Sequence, residues 1–194
     1  PENNKKKILL TIGNQISYSR IYFGYNKPNF DYSNWDEHRA IIKVLVKYQY
    51  KFDIVVKDLP RQNMRKTWED LLSDLGGSRI KIVTHEKPYS HVLIKSDLHI
   101  FTWVSTPFIE SLFTDSDIFL LDLSDLTDES KALFKKYICF SSNIDSFVEE
   151  LDKYLSDARF YIQNKNPLKD FFIDDYNKEQ RADVVSEAIY SVIK

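Results

Sequence analysis

A doubly wound α/β fold, with a mainly parallel sheet of about six strands and a helical C-terminal tail, is the architecture predicted by this 194-residue sequence. Three observations predict it. Short β-rich runs alternate with amphipathic helical stretches from about Lys7 to Ser156. The stretches between the runs are long enough for a helix to carry the chain back to a parallel neighbour. Beyond Pro167 the pattern is helical, with no strand after it.

The strand candidates are 7–12, 51–57, 79–84, 98–104, 117–121 and 137–140. Between the first two, Tyr32, Ser33 and Asn34 offer cap groups, Asp36 and Glu37 follow, and Ile41, Ile42, Leu45 and Val46 form an apolar stripe. That spacing predicts a helix over about 34–49. From Asn63 to Leu75 a second helix turns Trp68, Leu71, Leu72 and Leu75 inward, and Gly76-Gly77 ends it. A short helix is expected over Tyr89 to Lys95, and another directly after Ser105-Thr106-Pro107. The run NIDSFVEELDKYLS, Asn143 to Ser156, sets Ile144, Phe147, Val148, Leu151 and Leu155 at helical spacing behind an Asn cap. Leu168 to Ile173 is aromatic and apolar, and Lys178 to Ile193 reads as a last helix that packs across a neighbouring surface.

With 43% hydrophobic and 14% aromatic residues, the chain can bury one sizeable core, and neither repeats nor internal linkers divide it. The expectation is a single domain over residues 1–194, with 1–6 as a linker and 157–194 as the helical tail. Twenty-seven Lys and Arg against 29 acids give a net charge of -2, so no broad field draws the chain to nucleic acid. An anion site must therefore be local. The single cysteine, Cys139, sits in an apolar setting that suits a small core side chain and a reducing compartment. No apolar run reaches the roughly 20 residues that span a bilayer, so a soluble, cytoplasmic protein is expected. A polar, lysine-rich lead runs straight into Ile8, which predicts a chain cut from a longer one at a linker.

Ligands of parallel α/β sheets lie outside the carboxyl ends of the strands. After the first strand comes a polar loop from Gly13 to Arg20, able to wrap a phosphate but equally an ordinary glycine turn. After the second comes Lys57-Asp58-Leu59-Pro60-Arg61, a proline-stiffened turn flanked by cations, which suits a base or phosphate and also a solvated helix entry. His85 follows the third strand and reads more simply as a surface histidine. The fourth strand has the fullest set. With Thr106 as N-cap, Pro107 falls at the first helical position and the next amides face the crevice. Glu110, four residues on, shares the face of Thr106 and can accept both hydroxyls of a ribose. An acid in a first turn is also favoured by the helix dipole alone.

Other motifs carry less. Asp115-Ser116-Asp117 has the DxD form of some metal sites, but it precedes a strand and so falls at the opposite edge of the sheet. His38, His85, His91 and His99 lack zinc-ligand spacing, and no metal is expected. His99, inside a strand, reads as structural. No GxSxG elbow is present.

From Ser96-Asp97-Leu98 to Glu110, the chain resembles the second, donor-binding domain of GT-B glycosyltransferases, with an aspartate-led strand, a Ser-Ser or Ser-Thr pair and a Glu-bearing helix. It is most similar to bacterial surface-polysaccharide transferases of the Kdo, sialyl and teichoic-acid type, which use cytidine-linked donors. Two departures stand out. Where several of those families have His-Pro, this chain has Leu59-Pro60, and the Gly-Lys-Pro type turn after the glutamate is replaced by Thr114-Asp115-Ser116-Asp117. The order of strands and helices, and the tail from Phe171, extend the likeness over most of the chain.

The resemblance implies a Rossmann-like domain, the C-terminal half of a two-domain enzyme whose acceptor-binding half lies N-terminal to it. Ser105 and Thr106 would hold donor phosphate, Glu110 would orient ribose, and Gly13, Arg20, Lys57 and Pro60 would complete the donor site. The donor would be a nucleotide-sugar, CMP- or CDP-linked in the nearest groups, with no further cofactor. The acceptor glycan would reach the site through the missing half, and peripheral membrane association of the full-length protein is left open. The catalytic residue is not identified, since the general base of such enzymes usually lies on the other half, and the isolated domain is expected to be inactive. The rival reading is a non-catalytic Rossmann-like interaction or regulatory module, and a third is a GT-B-like epimerase.

Overall fold

The computed structural model describes residues 5–12, 30–57, 65–84, 89–93, 95–121, 126–157, 165 and 167–168. Six strands form one parallel sheet: β1 (Lys7–Thr11), β2 (Asp53–Lys57), β3 (Lys81–Val83), β4 (Leu98–Phe101), β5 (Asp117–Leu121) and β6 (Cys139–Ser141). Their order across the sheet is β3-β2-β1-β4-β5-β6. The helices are α1 (Phe30–Lys47), α2 (Arg65–Asp74), α3 (Tyr89–Leu93), α4 (Thr106–Ser111), α5 (Asp128–Tyr137) and α6 (Ile144–Asp157).

The central strands are buried on both faces, so they read as continuous apolar runs rather than alternating ones. Ile8, Leu9 and Leu10 of β1 are all fully buried, as are Leu98 and Ile100 of β4. Alternate residues feed two cores. On one face, Ile8, Ile54, Ile100 and Phe119 meet Ile41 and Leu45 of α1, Trp68 and Leu72 of α2, and Phe147 and Leu151 of α6. On the other, Phe101, Ile118, Leu120 and Phe140 meet Phe108 and Leu112 of α4 and Phe134 of α5.

Local chemistry ends the elements. Gly76 adopts φ 75, and the Gly77 and Gly76 amides return to the Leu72 and Ser73 carbonyls at 2.6 and 3.1 Å, which closes α2 in a Schellman arrangement. Asn143 Oδ1 accepts the Ser146 amide at 3.0 Å and caps α6 as expected. At the other end of α6, Lys51 Nζ donates to the Leu155 and Ser156 carbonyls at 2.9 and 3.1 Å.

Several expectations are corrected. The first helix begins at Phe30, so Tyr32, Ser33 and Asn34 lie inside it; neither glycine nor proline interrupts 29–47, and nothing stops the helix there. The fourth strand ends at Phe101, three residues early, because Thr102 to Ser105 leave the ladder to enter α4. The region 128–137, to which no element was assigned, is α5, capped by Thr127 with Asp128 and Glu129 in its first turn and Lys135 and Lys136 in its last. Of the tail, Leu168 is fully buried in the second core, and Lys165 is buried with its ammonium on the Thr114 carbonyl at 2.6 Å and on that of Ser116. The expected last helix, Lys178 to Ile193, lies outside the described residues.

Candidate functional site

The strand order reverses direction between β1 and β4: β1 leads toward helices on the first face, and β4 leads into α4 on the second. At such a switch point the two connections diverge and leave a crevice at the carboxyl ends. Thr11 and Ile12 border it from β1, Thr102 to Ser105 from β4, and α4 forms one wall.

The structure moves the helix cap. Ser105, not Thr106, is the N-cap: its backbone is extended, with φ -145 and ψ 169, and its hydroxyl accepts the Phe108 amide at 3.4 Å. Thr106 is therefore the first helical residue and Pro107 the second, where a missing N–H is equally harmless. The Ile109 amide goes to the Ser105 carbonyl at 3.0 Å. The Phe108 and Ile109 amides are both taken by Ser105, so this turn presents fewer amides than the sequence promised. Thr106 is exposed and Ser105 half-buried.

Glu110 remains four residues after Thr106 on the same face and is exposed. It is the fifth residue of a six-residue helix, and α4 carries no acid in its first turn. Dipole stabilisation, the other explanation for its presence, is thereby removed, since a carboxylate near a helix's C-terminal end is disfavoured. No salt bridge holds it among the described residues. What fixes the helix is Phe108, seated edge-on between Phe101 and Phe134 with centroids at 5.6 and 5.5 Å.

The remaining expected residues do not gather as foreseen. Lys57 ends β2, but it is 3% exposed and its ammonium donates to the Thr84 carbonyl. That bond braces the ends of β2 and β3, whose last residues Lys57 and Val83 pair in the sheet. Gly13, Arg20 and Pro60, and also His85, lie outside the described residues.

Other residues come forward that the sequence reading passed over. The Tyr89 hydroxyl, at the start of α3, is 2.8 Å from Thr11 Oγ1 at the end of β1. Burial above all raises the Tyr89 phenol, the Glu110 charge raises it further, and the Thr11 hydrogen bond opposes them. Under the crevice floor, Thr102 Oγ1 meets His38 Nε2 at 3.2 Å, both nearly fully buried, and His38 lies edge-on to Trp68. Next to His38, Glu37 has one carboxylate oxygen buried without a hydrogen bond among the described residues, and burial raises its pKa. Asp115-Ser116-Asp117 does fall at the amino edge, away from the crevice; Asp117 is buried and accepts from the Tyr154 hydroxyl. Among the described residues, no three His, Cys, Asp or Glu side chains cluster as metal ligands, and no helix is long and apolar enough to cross a membrane.

No protein-family model and no curated protein matches the sequence. Solved structures do. TarM of S. aureus, in complex with fondaparinux, alpha-GlcNAc-glycerol and UDP, superposes with a TM-score of 0.59 at 11% identity over 93% of this chain and 35% of its own. The C-terminal domain of the glycosyl transferase group 1 family protein LpcC from Francisella tularensis gives 0.54 at 12% identity, over 89% of this chain and 87% of its own. The pneumococcal O-GlcNAc transferase GtfA, in complex with UDP and GlcNAc, gives 0.52 at 7% identity, covering 98% and 37%. The fold is that of a GT-B C-terminal domain. The chain thus spans about a third of the length of TarM and GtfA, but most of the LpcC domain. At these identities the likeness is one of GT-B fold, and the side chains of the crevice must carry any argument about chemistry.

What those side chains can do is hydrogen-bond a polar, hydroxyl-rich ligand. Thr106 and Ser105 supply hydroxyls on one side, Glu110 supplies paired acceptors a turn away, and the Thr11–Tyr89 pair closes the β1 side.

Proposed function

We propose that the chain is the nucleotide-sugar donor-binding half of a glycosyltransferase that builds bacterial cell-surface polysaccharide. The observation that carries this reading is Glu110, an exposed carboxylate held at a disfavoured place on its own helix, beside the switch-point crevice. An exposed carboxylate that the dipole of its own helix does not favour, and that no salt bridge engages among the described residues, is free to meet a ligand. Paired ribose hydroxyls suit it, since a carboxylate accepts two hydrogen bonds side by side.

In this account Ser105 and Thr106 take donor phosphate, and their hydroxyls stabilise the negative charge that grows on the leaving nucleotide. Arg20 and the loop from Gly13 would add to that charge stabilisation, with Pro60 shaping the turn beyond β2. The UDP complexes of TarM and GtfA make UDP the first nucleotide to try, beside the CMP and CDP expected from the sequence. The chain would be the C-terminal half of a longer, cytoplasmic enzyme, with acceptor and general base on the other half.

Calorimetric titration of the chain with UDP, CMP and CDP tests the reading. At least one nucleotide should bind, and Glu110→Ala should weaken it about tenfold, the usual cost of losing hydrogen bonds to a charged group. Because Glu110 is exposed, the variant should fold normally. Equal affinity in the two proteins would remove Glu110 from the site, and no binding at all would favour an interaction module.

A further inference from the structure

β4 ends at Phe101, whose ring belongs to the second core and whose register partner on β1 is Thr11, so the ladder fixes the chain only as far as the switch point. The next residue, Thr102, turns to the opposite face, as successive residues of a strand do. There its Oγ1 lies 3.2 Å from Nε2 of His38 in α1, with both residues 1% exposed. Three residues further on, Ser105 caps α4. The turn that delivers Ser105 and Thr106 is therefore anchored after them by Phe108 in the second core, and before them by the Thr102–His38 contact on the first face.

His38 is itself fixed. Its ring stands edge-on to Trp68 at 5.9 Å, and Trp68 stacks on Trp35 at 5.0 Å, with Trp35 about one helical turn before His38. Trp68 is enclosed in the first core, which leaves the imidazole little room to turn away. A buried hydrogen bond adds only modest net stability, because both partners bond water in the unfolded chain. What it adds is direction, since its geometry tolerates a narrow range of distance and angle.

We propose that His38 is a positioning residue for the phosphate-binding turn: by holding the Thr102 hydroxyl, it sets the direction in which Trp103 to Ser105 leave β4, and thereby places the Ser105 and Thr106 hydroxyls against donor phosphate. The proposal rests on the nucleotide reading above and adds to it a residue from the other face of the sheet. Its effect is greatest on the phosphate side of the ligand. Ser105 and Thr106 follow Thr102 directly along the turn, whereas Glu110 lies beyond Phe108, the residue that seats α4.

The test titrates the chain, His38→Leu, His38→Gln and Thr102→Val with UDP and uridine and with CDP and cytidine, and follows the Ser105 and Thr106 amide signals by NMR. The wild type should bind at least one diphosphate more tightly than its nucleoside. His38→Leu and Thr102→Val should weaken that diphosphate about tenfold, the cost of misplacing hydrogen bonds to a charged group, with nucleoside binding changed by less than about twofold. Glutamine sets its amide nitrogen near the place of Nε2 and can still meet the Thr102 hydroxyl, so His38→Gln should keep most of the affinity. The Ser105 and Thr106 amide signals should move in His38→Leu and return toward their wild-type positions in His38→Gln. An unchanged diphosphate affinity in His38→Leu and Thr102→Val would overturn the positioning role and leave the nucleotide site standing. So would equal weakening of diphosphate and nucleoside, or equal amide shifts in His38→Leu and His38→Gln, since either would mark a general loss of packing. A diphosphate bound no better than its nucleoside by the wild type would overturn the phosphate role of the turn. Failure of the wild type to bind any of the four ligands would overturn the nucleotide reading and the positioning role together. If His38→Leu does not fold, Thr102→Val, which keeps the β-branch, makes the same comparison, with Thr102→Ser, which keeps the hydroxyl, as its rescue.

Discussion

His99 shows what burial does to one side chain. It is fully enclosed in β4, with Nε2 3.1 Å from the Leu93 carbonyl and Nδ1 without a partner among the described residues. Burial lowers its pKa to about 4 from 6.5, the Leu93 bond opposes that, and the Lys165 charge adds to it. The unfolded chain therefore takes up the proton first as pH falls, so the stabilising effect is complete above about 6.5 and disappears toward about 4. The loss should be on the order of 3 kcal/mol over that window. Urea unfolding across it should show this slope, and His99→Gln, which can still donate to Leu93, should flatten it; an unchanged slope would assign the effect to other groups. At this scale the sequence was read unevenly. Ser105, Thr106 and Glu110 were legible because a Ser-Thr-Pro run announces a helix start. Tyr89, Thr102 and His38 were not, because their partners lie 78 and 64 residues away and only the sheet brings them together. The burial of Lys57 was not legible, because a lysine before Asp-Leu-Pro looks solvated while its ammonium in fact donates to the Thr84 carbonyl, 27 residues on.

Among the elements, α4 matters most for function and is the least able to stand alone. Six residues make too few internal bonds to hold a helix in water, so packing must hold it. Phe108 provides that packing between Phe101 and Phe134. Phe108→Ala should lower stability by about 3–5 kcal/mol, read by denaturant titration. It should also weaken nucleotide binding in the fraction that remains folded, since the helix carries Thr106 and Glu110. A loss under about 1 kcal/mol would mean that α4 is held by something else. Element boundaries were legible where capping chemistry was strong, as at Gly76-Gly77 and Asn143. They were missed where a helix shows a thin apolar face: Phe134 is the fully buried residue of α5, too little to stand out as a stripe.

For the whole molecule, the alternation of strands and helices was enough to predict parallel returns, because each apolar run is too short for anything but a strand between helices. The order β3-β2-β1-β4-β5-β6 was not, since the sequence of returns does not say on which side of β1 the chain resumes. That order creates the switch point, where the Thr11–Tyr89 pair ends β1 and the chain runs from β4 into the helix that carries Thr106 and Glu110. At the opposite edge, Lys165 ties the start of the tail to the turn before β5, so the protein's own polar contacts close that part of the amino edge. The most direct test of this division is amide chemical-shift mapping of the isotopically labelled chain titrated with UDP, CMP and CDP. The account predicts saturable shifts at Thr11–Ile12 and Thr102–Ser111, with Ser96–Asp97 and Thr114–Asp117 unmoved. Shifts confined to the amino edge, or none at saturating nucleotide, would contradict it.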